Sequence, residues 1–371
     1  MAAMGTKTKE EKSENENEEL KRLLTLGHTR GIEITRDSYN NITLTKRPAS
    51  IGSSYMIGVD EAGRGPLAGP MVYSLVYWTE DPDTKVYNDS KKVQKEKRTA
   101  QYAELLENEN IGFTICLLSP LFISANMLCN KKDLLDKKAA NKLRATGQRK
   151  KQKLPHSGAS AQKANSKNLT HFLKNPQKIE TQNAPIPSAA ASTDPLFVCK
   201  DQQNLNDLSI SCIQKMLRTC ISSNIPVKEI YIDTVGPKVA LAQIIKECTS
   251  QCRTVKKIVV EEKADSSYQV VAAASILAKV SRDIFIETHA VWKLLYGEIE
   301  YWHDLGSGYP ADPNTRKWLS KSFIPGFGFL PIFRVSWKPV MDILQEKTEE
   351  LLGEEKSRGK LVCYLKRGDK R

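Results

Sequence analysis

The 371-residue sequence has no run of about 18 apolar residues, which excludes a membrane-spanning helix on sequence grounds. Its eight cysteines never occur with CxxC spacing, so they do not predict a zinc or redox site. The first 20 residues are rich in Lys, Glu and Asn and lack the apolar core of a signal peptide. These absences predict an intracellular protein whose thiols stay reduced.

Charge is present in excess but is unevenly distributed. The net charge is +13, and residues 131–200 hold fifteen basic and four acidic side chains, so this stretch carries +11 of the total. The same stretch is rich in Lys, Ala, Ser, Asn, Gln and Pro without periodicity, which predicts a disordered insertion. Its basic run RKKQK at 149–153 predicts a nuclear localisation signal, a non-specific nucleic-acid tether or only a solvated linker.

Outside the insertion, the hydrophobic pattern alternates between strands and helices. Residues 1–19 are expected to be a solvated tail, followed by a short helix at 20–26 and a hairpin at 31–45. Further strands are expected at 55–60, 71–78, 112–119, 229–234 and 254–260, and helices at 94–108, 205–221 and 239–248. A long helix is expected after Asp265, because apolar residues recur there at three- and four-residue steps. This order predicts an α/β domain with a mixed sheet covered by helices.

The segment DEAGRGPLAGP at 60–70 is the densest chemical signal in the chain. A buried strand rarely ends on two acids such as Asp60 and Glu61, because a desolvated carboxylate needs a partner. The glycines that follow allow the backbone to approach a ligand closely. A phosphate-binding Walker loop is excluded because no Gly-Lys-Ser/Thr follows. The competing interpretation is a charged turn after a strand.

Two more acids follow predicted strands. Asp233 could simply open a turn, and Asp265 could be a helix N-cap. Together with the first pair, however, they place four carboxylates at the ends of strands, where α/β folds build their sites. Carboxylates without His or Cys favour Mg²⁺ or Mn²⁺, and two such ions are the usual device for phosphodiester hydrolysis. Asp60 and Glu61 are adjacent in a strand, so both reach one site only if the backbone turns.

Five blocks of sequence carry a family resemblance. They are YMIGVDEAGRGPLAGPMVY, NDSKKV, EIYIDTVG, KADSSYQVVAAASILAKVSRD and GSGYPADPNTRKWL. In this order they resemble the type 2 ribonuclease H family, in particular its eukaryotic catalytic subunits, over about 55–130 and 201–352. The resemblance implies a ribonuclease H-like fold with a five-stranded mixed sheet flanked by helices and a C-terminal helical region. It also implies cleavage of RNA in RNA/DNA hybrids and nicking 5′ of single ribonucleotides in duplex DNA, leaving 3′-hydroxyl and 5′-phosphate ends.

The same resemblance implies roles for individual residues. Asp60, Glu61, Asp233 and Asp265 match the four acids that hold the divalent metals. The backbone of Gly63, Arg64 and Gly65 matches the segment that senses the ribose 2′-hydroxyl, and Tyr309 matches the tyrosine that recognises an RNA–DNA junction. Ser90 and Lys91 would suit a phosphate contact, although a solvated charged turn is an equal alternative. The Arg64 side chain could contact a phosphate or a local acid.

The resulting domain map has four parts. They are an N-terminal, partly disordered extension (1–54), a catalytic domain (55–130 and 201–337), the insertion (131–200) and a C-terminal helix and tail (338–371). An amphipathic stripe near the C-terminus (Val340, Ile343, Leu344, Lys347 and Leu351) predicts either a helix packed on its own domain or, by the resemblance, a dock for two non-catalytic subunits of a nuclear heterotrimer. Two alternatives stay open: another ribonuclease H-like nuclease, and a catalytically inactive nucleic-acid-binding subunit.

Overall fold

The computed structural model describes residues 9–79, 87, 94–128, 203–298 and 302–357. These residues belong to one compact unit, residues 1–130 with 195–371. The predictions for Ser90, Lys91 and the insertion 131–200 lie outside the described residues. In chain order, the elements are α1 (Lys9–Leu24), β1 (Ile32–Arg36), β2 (Ile42–Lys46), β3 (Tyr55–Ala62), β4 (Met71–Thr79), α2 (Lys95–Glu107), β5 (Gly112–Leu118), α3 (Pro120–Leu128), α4 (Leu205–Ser222), β6 (Val227–Asp233), α5 (Lys238–Cys248), β7 (Lys257–Glu261), α6 (Ala264–Ser267), α7 (Gln269–Glu287), α8 (His289–Tyr296), a 3₁₀ turn (Trp302–Leu305), α9 (Pro313–Lys321) and α10 (Lys338–Ser357).

The described strands form one mixed sheet in the order β1-β2-β5-β4-β3-β6-β7. Strands β3, β6 and β7 are parallel to one another, and all the other neighbouring pairs are antiparallel. The predicted α/β class with a mixed sheet is therefore confirmed. The predicted number of five strands is wrong, because the sheet has seven.

The two additional strands come from the predicted N-terminal hairpin. Asp37 stabilises its turn by accepting hydrogen bonds from the amides of Tyr39 and Asn41 at 2.9 Å. Strand β2 then pairs antiparallel with β5 along its length, with Leu44 opposite Ile115. A β5 edge left open would expose a row of unpaired backbone groups. The hairpin therefore joins the catalytic sheet, whereas the domain map had assigned it to a separate extension.

The N-terminal segment also differs from its prediction. Helix α1 begins at Lys9, although the sequence predicted a solvated tail as far as residue 19. Leu20 and Leu24 are fully buried in the main hydrophobic core. The tail was predicted from its charged composition, but burial of two leucines one turn apart is enough to fix the end of the helix against the domain.

Helix α7 lies against the centre of the sheet and confirms the long helix predicted after Asp265. It is buried along almost its whole length. Gly58 in β3 permits this contact, since a Cβ atom at that position would lie 2.3 Å from the Val270 backbone. The close approach matters because β3 and α7 both carry polar residues of the site.

Helix α10 bears out the amphipathic stripe. Val340 is buried in the main core, and Ile343 packs against that core. Leu344, Lys347 and Leu351 are partly buried, whereas most of the residues between them are exposed. The N-terminal part of this helix therefore packs on its own domain. Across the described residues, no helix is both long enough and apolar enough to cross a membrane.

Candidate active site

Three neighbouring strands bring the predicted acids to one end of the sheet. Asp60 and Glu61 lie near the end of β3, and Asp233 is the last residue of β6. Strands β3 and β6 are parallel, with Val59 opposite Ile232, so Asp60 and Asp233 occupy the next positions along adjacent strands. Asp265 follows β7 and lies in the first turn of α6. The prediction that carboxylates gather at the strand ends is consistent with this placement.

The two simpler interpretations of the later acids fit only in part. Asp233 does shape a turn, because its Oδ1 accepts hydrogen bonds from the amides of Thr234 (2.9 Å) and Ala264 (3.3 Å). This second bond ties the end of β6 to the start of α6. Asp265 is not a helix N-cap, since Lys263 is the N-cap of α6. Its side chain is buried and lies 3.9 Å from the ammonium group of Lys279.

Asp60 and Glu61 interact electrostatically although they are adjacent in a strand. Glu61 stands opposite Tyr73 of β4, so the strand continues through both acids, and the backbone turns only at Gly63, where φ is +76°. Asp60 is hydrogen-bonded to Ser275 of α7. Both carboxylates nevertheless experience the charge of Asp233. The turn at Gly63 therefore follows the pair and is not needed to bring their charges together.

Burial makes ionisation of this pair unfavourable. Burial raises the pKa of Asp60 from 3.8 to about 7, and the charge of Asp233 adds to the rise. Burial also raises the pKa of Glu61 from 4.5 to about 8, with further increases from the charges of Asp60 and Asp233. Like charges in a desolvated site oppose one another in this way. A cation held between the carboxylates would lower both pKa values.

Lys279 of α7 supplies the nearby positive charge, and sequence reasoning missed it. Its ammonium group donates a 2.8 Å hydrogen bond to Ser275 Oγ, and its charge lowers the pKa of both Asp60 and Glu61. Ser275 and Lys279 are four residues apart on a helix, so they share a face. Polar residues at this spacing inside the apolar segment AAASILAK are a signal that could have identified them.

The glycine loop after β3 is closely packed against its surroundings. A Cβ atom on Gly63 would lie 2.5 Å from Cδ of Arg282 and 2.7 Å from the Pro70 carbonyl oxygen. The Arg64 side chain turns away to α4, where it donates hydrogen bonds to Asn206 and to Ser209. Neither sequence interpretation of this side chain, a phosphate contact or an ion pair with a local acid, matches these neutral partners.

Tyr309 lies across a cavity from the glycine loop. Its side chain is 40% exposed, and its ring stacks on the Arg282 guanidinium at 5.1 Å. Arg282 also donates a 3.0 Å hydrogen bond to the Ser307 carbonyl, which holds the segment before Tyr309. A Cβ atom on Gly65 would lie 3.8 Å from the Tyr309 ring. The predicted sugar-sensing loop and the predicted tyrosine therefore lie next to each other in the fold.

The cavity beside them has a volume of about 500 Å³. Its lining combines two carboxylates, the glycine loop, four cationic side chains and the tyrosine. The residues are Glu61, Ala62, Gly63, Arg64, Gly65, Arg98, Lys279, Arg282, Asp283, Ser307 and Tyr309. A cavity with this lining can accept a sugar–phosphate unit, because cations suit the phosphate and backbone amides suit a hydroxyl.

The acids fit a divalent metal by chemistry more than by preassembly. Among the described residues, no three His, Cys, Asp or Glu side chains stand close enough to hold an ion by themselves. Mg²⁺ usually binds through one or two carboxylates, completed by water and substrate phosphate oxygens. Here the donors are all oxygen, and Glu61 Oε2 is buried without a hydrogen-bond partner in the described part of the chain. Such a donor set fits an ion that is completed by substrate.

Comparison with known proteins is consistent with this arrangement. The chain matches the family described as Ribonuclease HII over residues 57–181 and 162–340. It is 28% identical to a ribonuclease H2 subunit of Bos taurus, with 90% of each chain covered. It is 30% identical to the corresponding ribonuclease H2 subunit of Neurospora crassa, covering 78% of this chain and 70% of that protein. The crystal structure of ribonuclease H2 from Pyrococcus horikoshii OT3 is 23% identical with a TM-score of 0.48, covering 79% of this chain and 98% of that one.

The family match covers more than half of the sequence, and the chain belongs to the ribonuclease HII family. Within that family, its curated relatives from animals, a fungus, an amoeba and a plant are all the same ribonuclease H2 subunit, the one that corresponds to the catalytic chain. The chain is therefore a ribonuclease H, an endonuclease that acts on RNA paired with DNA.

Proposed function

We propose that this ribonuclease H cleaves the RNA strand of hybrids and also nicks duplex DNA on the 5′ side of a single embedded ribonucleotide. The products are a 3′-hydroxyl and a 5′-phosphate. The observation that supports the second activity is the cavity in which Gly65 faces the Tyr309 ring. A space lined by backbone amides on one side and a flat ring on the other suits one ribose, read through its 2′-hydroxyl.

A divalent metal, Mg²⁺ or Mn²⁺, completes this proposal. Asp60, Glu61, Asp233 and Asp265 would hold it, with substrate oxygens as the remaining ligands. When bound, one or two such ions supply an activated water and stabilise the leaving oxygen. The raised pKa values of Asp60 and Glu61 support the assignment, because carboxylates buried with like charges are stable in ionised form only beside a cation.

The protein residues around the acids set their orientation. Ser275 hydrogen-bonds Asp60, and Lys279 in turn bonds Ser275 and lies beside Asp265. This chain of contacts joins acids from β3 and α6 through one face of α7. Across the cavity, Arg282 holds the Tyr309 ring. We infer that the substrate sugar lies between the ring and the glycine loop, while the scissile phosphate lies toward Glu61.

A nicking assay tests the proposal directly. The full-length chain is incubated with duplex DNA that contains one ribonucleotide, with an otherwise identical all-DNA duplex and with a long RNA/DNA hybrid, in Mg²⁺ or Mn²⁺. We expect a single nick 5′ of the ribonucleotide, cleavage of the hybrid and no reaction with DNA. Asp60→Asn or Asp233→Asn should abolish both reactions while hybrid binding persists. Equal treatment of ribose and deoxyribose by the unmodified chain would refute the proposal.

We further propose that the chain works in the nucleus as the catalytic member of a heterotrimer with two non-catalytic subunits. The designation of the relatives as one of several lettered subunits supports the presence of others. Helix α10 offers a docking surface beyond its buried Val340, because its C-terminal half keeps partly buried apolar positions beside exposed charge. Exchange of Ile343 and Leu344 to Asp should release co-purified subunits; retention of both subunits would contradict this role for α10.

A further inference from the structure

Arg334 is fully buried and binds the backbone of the glycine loop. Its guanidinium donates three hydrogen bonds to carbonyl oxygens, from Nη2 to Gly63 (2.6 Å), from Nη1 to Arg64 (2.9 Å) and from Nε to Gly69 (3.1 Å). The same guanidinium lies 5.0 Å from the centre of the Trp337 ring. One side chain thus spans the loop from its first glycine to its last.

This placement is uncommon for a buried cation. Burial of a charge is unfavourable unless the charge is paired, and the hydrogen-bond partners of Arg334 are neutral carbonyls. Burial lowers the pKa of Arg334 to about 9, and the charge of another cation, Arg282, adds to the decrease. An apolar side chain of similar volume would often serve packing as well or better. The arginine therefore has a role that packing alone does not explain.

The three hydrogen bonds fix the direction of the loop amides. In a trans peptide the carbonyl and the following N–H point in opposite directions. When Arg334 draws the carbonyls of Gly63 and Arg64 inward, the amides of Arg64 and Gly65 point outward, on the side of the cavity that these residues line. Within the described residues, neither amide donates to a backbone carbonyl.

Backbone contacts join the same loop to the tyrosine segment. The amide of Leu67 donates to the Gly308 carbonyl at 2.7 Å, and the amide of Arg334 donates to the Leu67 carbonyl at 2.8 Å. Gly308 immediately precedes Tyr309 in the sequence. A shift of the loop on loss of Arg334 would therefore change the spacing between the Gly65 amide and the Tyr309 ring.

We propose that Arg334 is a positioning residue that aims the amides of Arg64 and Gly65 at the ribose 2′-hydroxyl. This inference rests on the proposed nicking of ribonucleotide-containing DNA. A misplacement of about 1 Å in a reacting complex can lower the rate by about 10²-fold. Loss of the three hydrogen bonds is expected to lower kcat by ~10- to 100-fold while changing KM less, because phosphate contacts outside the loop remain.

The test compares Arg334→Met and Arg334→Lys with a matched control, Lys46→Met. Lys46 is also a buried cation that donates to two backbone carbonyls, those of Leu106 and Asn108, but these lie at the C-terminal end of α2. Full-length proteins are assayed for kcat and KM on single-ribonucleotide duplex. Their thermal unfolding and the hydrogen exchange of segment 63–70 are measured in parallel.

We expect Arg334→Met to lose kcat in folded protein and to exchange faster across 63–70, with partial recovery in Arg334→Lys. Lys46→Met should lower Tm with unchanged kcat. The inference is overturned if activity in the Arg334 variants falls only in proportion to their folded fraction, or if a folded Arg334→Lys protein has wild-type kcat and exchange. Failure of the proposed function is separate, because it appears in the unmodified chain as indifference to ribose.

Discussion

Replacement of Asp60 by asparagine should stabilise the metal-free protein at alkaline pH while removing its activity. The folded state raises the Asp60 pKa from 3.8 to about 7, mainly by burial. Because the folded state then binds more protons than the unfolded state, its stability falls as pH rises from about 4 to about 7. At ~1.4 kcal/mol per pH unit, the ionised carboxylate destabilises the empty site by about 4 kcal/mol at pH 8.

Urea denaturation in the presence of EDTA, at pH 5 and at pH 8, measures this effect. We expect the Asp60→Asn protein to have a higher free energy of unfolding than the unmodified chain at pH 8, by ~1–4 kcal/mol, since the amide still needs its own partners. At pH 5 most of the difference should vanish, because the buried carboxyl is then protonated. Asp342→Asn, on the exposed surface of α10, is the matched control and should show no gain at pH 8.

Addition of Mg²⁺ completes the experiment. The ion should raise the Tm of the unmodified chain at pH 8, because ligand that binds only the folded state stabilises it. The Asp60→Asn protein should respond much less. If the substitution destabilises the metal-free protein equally at pH 5 and pH 8, the carboxylate is not held in an unfavourable ionised state, and the electrostatic account of the site is wrong.

Three further outcomes are expected. Gly63→Ala should lower kcat/KM by at least ~10-fold and stability by ~1–3 kcal/mol, because the residue has φ of +76° and its Cβ would meet Arg282; wild-type kinetics would contradict this. Tyr309→Ala should impair nicking at single ribonucleotides more than cleavage of long hybrids, and equal losses would argue against a junction role. Deletion of 131–200 should preserve hybrid cleavage in a standard assay, whereas loss of the fold would show that a structural element lies there.

The sequence predicted those parts of the fold and site that depend on local pattern. The periodicity of α7 and the stripe on α10 are visible in the sequence because a helix places every third or fourth residue on one face. The positions of Asp60 and Asp233 follow from where two apolar strands end. In each case the information lies within a short stretch of consecutive residues.

The features that sequence reasoning missed depend on contacts between distant segments. Pairing of β2 with β5 adds the two strands that the five-strand expectation left out. The Arg64 side chain turns to Asn206 and Ser209 of α4, 142 and 145 residues away. Arg334 reaches the carbonyls of the glycine loop, 270 residues away for Arg64, and nothing in its local sequence marks it. Such contacts follow from tertiary packing, which periodicity does not encode.

The site keeps its buried anions and its fully buried cation apart. Arg334 is satisfied by three backbone carbonyls, and Asp60 by a hydroxyl from Ser275, so neither neutralises the other. Direct pairing would relieve the desolvation of both groups but would occupy the carboxylate oxygens. Carbonyl binding instead fixes the loop while the acids stay available to a cation and the substrate. This separation requires a sharp change of chain direction between the two charged groups, and Gly63 provides it with its positive φ.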